Sequence, residues 1–226
     1  MNKDIDKNYF KDKIKKDNPV IFDVGTFDGN DCLEFLKIFN TPTIYAFEGD
    51  DRSINTFKKY IKNAPINLVE TLLSNVNGYI DFYKSESDVR RHDRYDFEET
   101  CWSASSSTKK PKSHLILFPD IDFPEPIKTK SQRLDTWIED KNIELIDIMW
   151  VDVNGGEEGF LEGGINTINN KVKYLYIEFN GVGDKKLYDG CFTKDDILSE
   201  LPNFKELGVF NFMGNFGNVL LENKTL

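Results

Sequence analysis

The stretch VIFDVGTFDGND, residues 20–31, passes from an apolar run through an aspartate into a turn with glycines at 25 and 29. The apolar half, with Pro19 before it, reads as a strand over 19–24. Beyond the turn, Cys32, Phe35, Leu36 and Phe39 share one helical face until Asn40-Thr41-Pro42 stops the helix. Strand, glycine turn and helix form the repeating unit of an open α/β sheet. In such sheets ligands bind at that turn, against the helix N-terminus.

The rhythm continues outward. Strands are expected at 43–48, 66–70, 146–153 and 172–179, with helices marked by Ile54, Phe57 and Ile61, and by Phe160, Leu161, Gly164, Ile165 and Ile168. GYIDFY (78–83) and IKTKSQ (127–132) read as further strands, and Leu134, Trp137 and Ile138 as a short helix. Thr193 with Asp196 has the spacing of a capping box. The last segment, 204–224, reads as two strands around a glycine-rich turn. The expected fold is α/β and Rossmann-like: a central, mostly parallel sheet with a C-terminal antiparallel hairpin and helices on both faces. One domain spans 1–226, with a helical or flexible extension over 1–18. An irregular, lid-like insertion covers 84–128.

Composition narrows the partners. Against 29 basic residues stand 39 acidic ones, a net charge of −10, which disfavours binding to nucleic acid through phosphate neutralisation. Cys32, Cys101 and Cys191 are odd in number and scattered, without a Cys-x-x-Cys pair. They read as reduced thiols rather than a disulfide framework or zinc site. The N-terminus resembles no signal peptide, and no run approaches the roughly 18 apolar residues of a membrane span. A soluble, cytoplasmic protein is the expectation.

The first turn also selects its ligand. A dinucleotide site takes Gly-x-Gly-x-x-Gly, whose middle glycine admits the pyrophosphate. Phe27 holds that position and Asp28 follows, so a ring blocks the approach and a carboxylate repels phosphate. S-adenosylmethionine (SAM) has no phosphate. Its carboxylate suits backbone N–H groups at a helix start, and its sulfonium and ammonium tolerate nearby acids. Glu48 closes the second strand 23 positions after Gly25, where an acid accepts hydrogen bonds from both ribose hydroxyls. Farther on, WVDVNGGEEGFLEGG (150–164) sets Asp152 and Asn154 at the end of the most apolar strand, and Glu178 ends its neighbour. Asp152, Glu157 and Glu178 are expected to converge at that edge.

Taken in order, FDVGTFDGND, YAFEGD, WSASSS, RLDTW, WVDVNGGEEGFLEGG and YIEF resemble the FkbM family of SAM-dependent methyltransferases from about residue 20 onward. The resemblance implies a class I methyltransferase fold and methylation of a hydroxyl oxygen, on a sugar, glycan, glycolipid or polyketide. It implies cofactor contacts from Asp23, Gly25, Thr26, Phe27, Gly29 and Asn30 in the first turn, and from Glu48 and Gly49 after the second strand. Ser74, Ser105, Ser106 and Asp152 complete the expected set. The family commonly has Lys two residues before the aspartate, Glu or Gln two after it, and Asn in the first turn. This chain has Trp150, Asn154 and Phe27 there.

An alcohol must lose its proton as it is methylated. Asp152 and then Glu178 are the candidates to receive it, with His92 and His114 as loop residues able to reach the site. A divalent ion held by Asp152, Asn154 and Glu178 is the alternative account of those acids. Trp102 and Tyr95 are candidates to stack on a sugar ring. Two other readings stand beside the enzyme: a non-catalytic binding or assembly subunit of the same fold, and a nucleic-acid methyltransferase.

Overall fold

The computed structural model describes residues 5–61, 63–87 and 102–226. The chain starts with helix α1 (Asn8–Lys13), then alternates through β1 (Val20–Val24), α2 (Asn30–Ile38), β2 (Thr43–Glu48), α3 (Asp51–Ile61) and β3 (Ile66–Glu70). Short strands β4 (Leu72–Leu73) and β5 (Gly78–Phe82) follow, then α4 (His114–Leu117), β6 (Ile127–Gln132) and α5 (Leu134–Trp137). The alternation resumes with β7 (Ile146–Val151), α6 (Glu157–Lys171) and β8 (Val172–Phe179). A small hairpin, β9 (Gly181–Val182) and β10 (Lys185–Lys186), precedes α7 (Lys194–Glu200), β11 (Phe204–Phe210) and β12 (Gly217–Asn223).

Seven strands form the main sheet in the order β3-β2-β1-β7-β8-β12-β11. Pairing is parallel from β3 to β8; β12 runs antiparallel to both β8 and β11. The expected C-terminal hairpin therefore supplies the single reversed strand. β7 is central and buried along its whole length, and its side chains alternate between two cores. Met149 and Val151 join Phe160, Leu161 and Ile168 of α6 on one face. Ile148 and Trp150 join Cys32 and Phe35 of α2 and Phe57 of α3 on the other. A strand buried on both faces has no polar side to show, which is why it reads as a continuous apolar run.

The added strands do not extend this sheet. β5 pairs with β6, and β6 with β4, in a separate three-stranded sheet. Its register carries Leu72, Leu73 and Phe82 to the edge of the main-sheet cleft. The capping box at Thr193 is present, with the Thr193 hydroxyl accepting from Asp196 N–H and the Asp196 carboxylate accepting from Thr193 N–H.

The extension over 1–18 is helical in part, as α1, and its described part packs on the domain: Phe10 is fully buried, and Ile5 and Ile14 lie with it in the core around α2. The described part of 84–128 is tied down by bridges Tyr83–Ser107, Glu86–Asp122 and Pro111–Tyr188. Residues 88–101, with His92, Tyr95 and Cys101, lie outside the described residues.

If α1 belongs to the cooperative core, Phe10→Ala should cost about 3–5 kcal/mol, the usual range for emptying a buried phenylalanine site. Urea denaturation reads this directly. A loss under about 1 kcal/mol would show α1 to be a separable appendage.

Candidate active site

A cleft opens at the carboxyl ends of β1, β2 and β7. Its walls include Gly25, Thr26, Phe27 and Asp28 of the first turn, Asp31 of α2, and Phe47, Glu48 and Gly49 of β2 and beyond. Trp150, Asp152, Val153 and Asn154 close it from the β7 side, and Thr71 to Leu73, Phe82, Ser103, Ala104, Ser106 and Thr108 from the far rim. Four of these residues are acids, and none is Lys, Arg or His. A lining of that sign disfavours phosphate and suits a cation, which fits a sulfonium cofactor better than a dinucleotide.

The first turn works differently from the simple cradle expected of it. Gly25 has φ +79°, and a Cβ there would lie 1.8 Å from the Asp152 carbonyl oxygen. Gly29 has φ +75°, and its Cβ would lie 2.5 Å from the Phe57 ring. Both glycines are thus required by backbone shape and close packing. The N–H groups of Gly25 and Thr26 donate to the Phe47 carbonyl, that of Gly29 to Thr26, and that of Asn30 to the Asp28 carboxylate. Five turn donors, counting Phe27, are satisfied within the protein, so the notion of free N–H groups for the cofactor carboxylate does not hold at those positions.

Phe27 N–H goes to Glu48. That carboxylate accepts from Phe27 N at 2.9 Å, Gly49 N at 2.7 Å and Asp50 N at 2.8 Å. Burial pushes Glu48 up to about 7, with the charge of Asp50 adding to the rise and the three N–H groups opposing it. Three of its roughly four acceptor positions are taken, so Glu48 braces the turn while lining the cleft. Asp23 does not line the cleft. It accepts from Thr26 Oγ1 at 2.6 Å and Cys32 Sγ at 2.9 Å, and burial followed by the charge of Asp31 raises it to about 7.

The three acids near β7 do converge. Glu178 hydrogen-bonds to Asp152, and Asn180 Nδ2 donates to Glu178 at 2.6 Å and to Glu157 at 3.3 Å. Burial, then the charges of Asp152 and Glu157, hold Glu178 well above the carboxylate range, so it is the proton donor of the pair. Asp152 is raised to about 6, chiefly by loss of solvent, with the Glu178 hydrogen bond pulling it down. Its side chain opens on the cleft, and water there tempers that rise. Glu157 has no exposed surface, accepts from Gly155 N at 3.1 Å, and is driven by burial to about 8.

Other expected residues are placed differently: His114, Ser74 and Ser105 lie off the cleft lining, and Ser106 is on its rim. His114 is buried against the rings of Phe118, Phe123 and Tyr188 and does not line the cleft. Ser74 bonds to Ser131 at 2.9 Å outside the cleft. Its carbonyl lies where a Gly163 Cβ would stand 2.0 Å away, one reason for the paired glycines of α6. The Ser105 hydroxyl accepts from Trp102 Nε1, and the Ser106 hydroxyl donates to Asp50 while accepting from Ser85 N–H, so both stitch the loop to the fold. Among the described residues, no group of three or more His, Cys, Asp or Glu side chains forms a metal-binding set.

Residues 23–208 match the family model described as the methyltransferase FkbM domain. The chain belongs to the FkbM methyltransferase family. Its enzymatic chemistry is therefore methyl transfer from SAM. It is 34% identical over 216 residues to the 2-O-methyltransferase NoeI of Sinorhizobium fredii (strain NBRC 101917 / NGR234), a match covering 94% of this chain and 83% of that one. A methyltransferase FkbM from Methylobacillus flagellatus shares the fold at a TM-score of 0.53 and 13% identity, over 92% of this chain and 44% of that one. This chain thus spans under half of that protein. TehB from Haemophilus influenzae matches at a TM-score of 0.50 and 12% identity, over 97% of this chain and 63% of that one. Among the described residues no helix is long and apolar enough to cross a membrane.

Departures from the FkbM pattern have physical counterparts. Trp150 stacks on Tyr176 at 3.8 Å, and a lysine does lie beside it, since Nζ of Lys7, the residue before α1, sits 4.3 Å from its ring centre. Sequence reasoning missed Asp31, Trp150 and the Leu72–Leu73 rim as wall residues. Asp31 carried one signal, an acid in the first turn of the helix that the glycines open.

Glu48 and Glu157 ionise harder folded than unfolded, from 4.5 to about 7 and about 8. Between about pH 4.5 and 8 the folded chain holds more protons than the unfolded one, so stability should fall as pH rises through that window. Scanning calorimetry of the ligand-free enzyme should give a Tm several degrees higher at pH 6 than at pH 8.5. Glu157→Gln should shrink that difference, and an unchanged difference would refute the buried-acid account.

Proposed function

We propose that this enzyme methylates a hydroxyl oxygen of a sugar or glycan acceptor, with Asp152 receiving the hydroxyl proton. The observation that carries the reading is the hydrogen bond between Asp152, on the cleft wall, and the buried Glu178 behind it, with burial and the neighbouring acids pushing Glu178 the further up of the two. The likeness to a 2-O-methyltransferase supports oxygen as the acceptor atom.

When bound, SAM supplies an electrophilic methyl group that the acceptor oxygen attacks in line as the C–S bond breaks. The chain's own work is alignment and proton removal. Gly25, Thr26 and Gly49 shape the cofactor wall by close backbone packing, and Glu48 faces the ribose hydroxyls with the acceptor capacity the backbone leaves it. Asp152, raised to about 6, is ionised near neutral pH yet basic enough to take a proton. Glu178 donates to it and fixes its orientation, and Asn180 fixes Glu178. Phe27, its ring 6.5 Å from that of Trp102, gives the cleft an aromatic face of the kind that packs against a sugar ring.

Methyl transfer from tritiated SAM to a panel of oligosaccharides, each compared with its 2-deoxy form, tests the acceptor class. Asp152→Asn should lower kcat by roughly 10²–10⁴-fold, with a far smaller change in affinity for S-adenosylhomocysteine (SAH). Glu48→Ala should weaken SAH about tenfold, roughly 1.4 kcal/mol. Full turnover by Asp152→Asn would remove it as the base, and equal transfer to the deoxy forms would remove the 2-hydroxyl.

A further inference from the structure

Lys7 stands outside every motif quoted above, yet its side chain is only 6% exposed and reaches the back of the cleft. Its Nζ lies 2.5 Å from Asp31 Oδ1 and 2.7 Å from Glu34 Oε2, both on α2, and 4.3 Å from the centre of the Trp150 ring. Asp31 and Trp150 line the cleft. Among the described residues no basic side chain lines the cleft directly, and Lys7 is a cation behind two of its walls.

Burying an ammonium costs several kcal/mol unless close partners offset it. Here two carboxylates and a ring face do so. Burial opposes the charge on Lys7, but Asp31 and Glu34 outweigh it, and the lysine stays charged. Anchoring α1 does not require this. Ile5, Phe10 and Ile14 already fasten the segment to the core, and an apolar side chain at position 7 would cover Trp150 without desolvating a charge. The requirement is for a positive charge at Asp31. That acid sits in a crowded neighbourhood, since its charge also raises Asp23 and Asp152. Lys7 offsets that repulsion at close range, from 2.5 Å.

We infer that Lys7 is a positioning residue of this methyltransferase: it fixes Asp31, ionised, in the cleft wall, where Asp31 meets the ammonium of the methionine part of the cofactor. The inference rests on reading the cleft as the SAM site. α1 thereby becomes part of the cofactor pocket.

Calorimetric titration of SAH into wild type, Lys7→Met, Lys7→Arg, Asp31→Asn and the Lys7→Met/Asp31→Asn double variant tests it. Lys7→Met and Asp31→Asn should each weaken SAH tenfold or more, and the double variant should be no worse than the poorer single one, because the two act as a unit. Lys7→Arg should stay within threefold of wild type. In turnover, Lys7→Met should raise KM for SAM tenfold while kcat changes less than threefold. Phe10→Ala, which loosens α1 but keeps the ammonium, separates charge from docking: an equal loss of SAH affinity in that variant would overturn the inference. So would losses that multiply in the double variant, or a folded Lys7→Met that binds SAH within twofold of wild type. Wild-type protein that binds no SAH would overturn the reading of the cleft itself, and this inference with it.

Discussion

The site depends on one close crossing. At the carboxyl edge of the sheet β1 and β7 lie side by side, and Asp152 N–H donates to the carbonyl of Val24, the last residue of β1, at 2.9 Å, carrying the parallel ladder one step past the end of β7. Immediately beyond, Gly25 passes so near the Asp152 carbonyl that a Cβ would stand 1.8 Å from it. That contact brings the first turn and the acid of the second motif together. Any side chain at 25 would push β1 and β7 apart at the edge where the cleft begins, and Asp152 would move with its strand. The glycine often read as making room for a ligand here makes room for the protein. The ligand space is the consequence.

Around that crossing the chain gathers carboxylates, four of them (Asp23, Glu48, Glu157 and Glu178) buried and Asp152 open to the cleft. Asp23, Glu48, Asp152, Glu157 and Glu178 are all held above their ordinary range, with burial the leading cause for each. Such a cluster opposes folding at neutral pH, so its presence in an otherwise well-packed domain marks a functional demand. The acids divide by environment. Asp23 and Glu157 are sealed inside and brace the two turns, whereas Asp152 alone both meets the cleft and has a protonated partner behind it. Position relative to solvent, more than chemical type, separates the bracing acids from the reactive one.

Much of this was legible because the signals were local. Strands at 43–48, 66–70, 127–132 and 172–179 fall at the residues their apolar runs and turn formers mark, and the capping box at Thr193 is a four-residue statement complete in itself. The FkbM motifs are similarly local, and they carried the family. What escaped was set by tertiary adjacency. GYIDFY has the pattern of a strand, but nothing in its own residues says whether it joins the main sheet or pairs with IKTKSQ. The serines at 105 and 106 look available in sequence and are occupied in space by Asp50, Ser85 and Trp102. Lys7 belongs to a lysine- and aspartate-rich segment that reads as solvated, and only the approach of α1 to α2 and β7 reveals where its ammonium goes.

The departures from the family pattern make sense in the same terms. Among the described residues three non-glycine positions have positive φ, and two of them, Phe27 at 51° and Asn154 at 50°, line the cleft from opposite sides. A left-handed backbone at a residue with a side chain costs about 1–3 kcal/mol and persists only where the surroundings impose it. At Asn154 they do so visibly, since its carbonyl accepts from the Ser107 hydroxyl at 2.6 Å and ties the loop over the cleft to the end of β7. Asparagine tolerates this conformation better than the Glu or Gln common at the position, because its short amide can bond to nearby backbone. Phe27 has no such chemistry, and its strain is held by the N–H bond to Glu48. At Asn154 the departure exchanges a longer polar side chain for a fixed backbone path, and at Phe27 a ring stands where the family's smaller amide does, on a backbone path held by Glu48. In this enzyme shape is set on both sides of the cleft before any ligand arrives, and the polar work falls to the acids that those two paths hold in place.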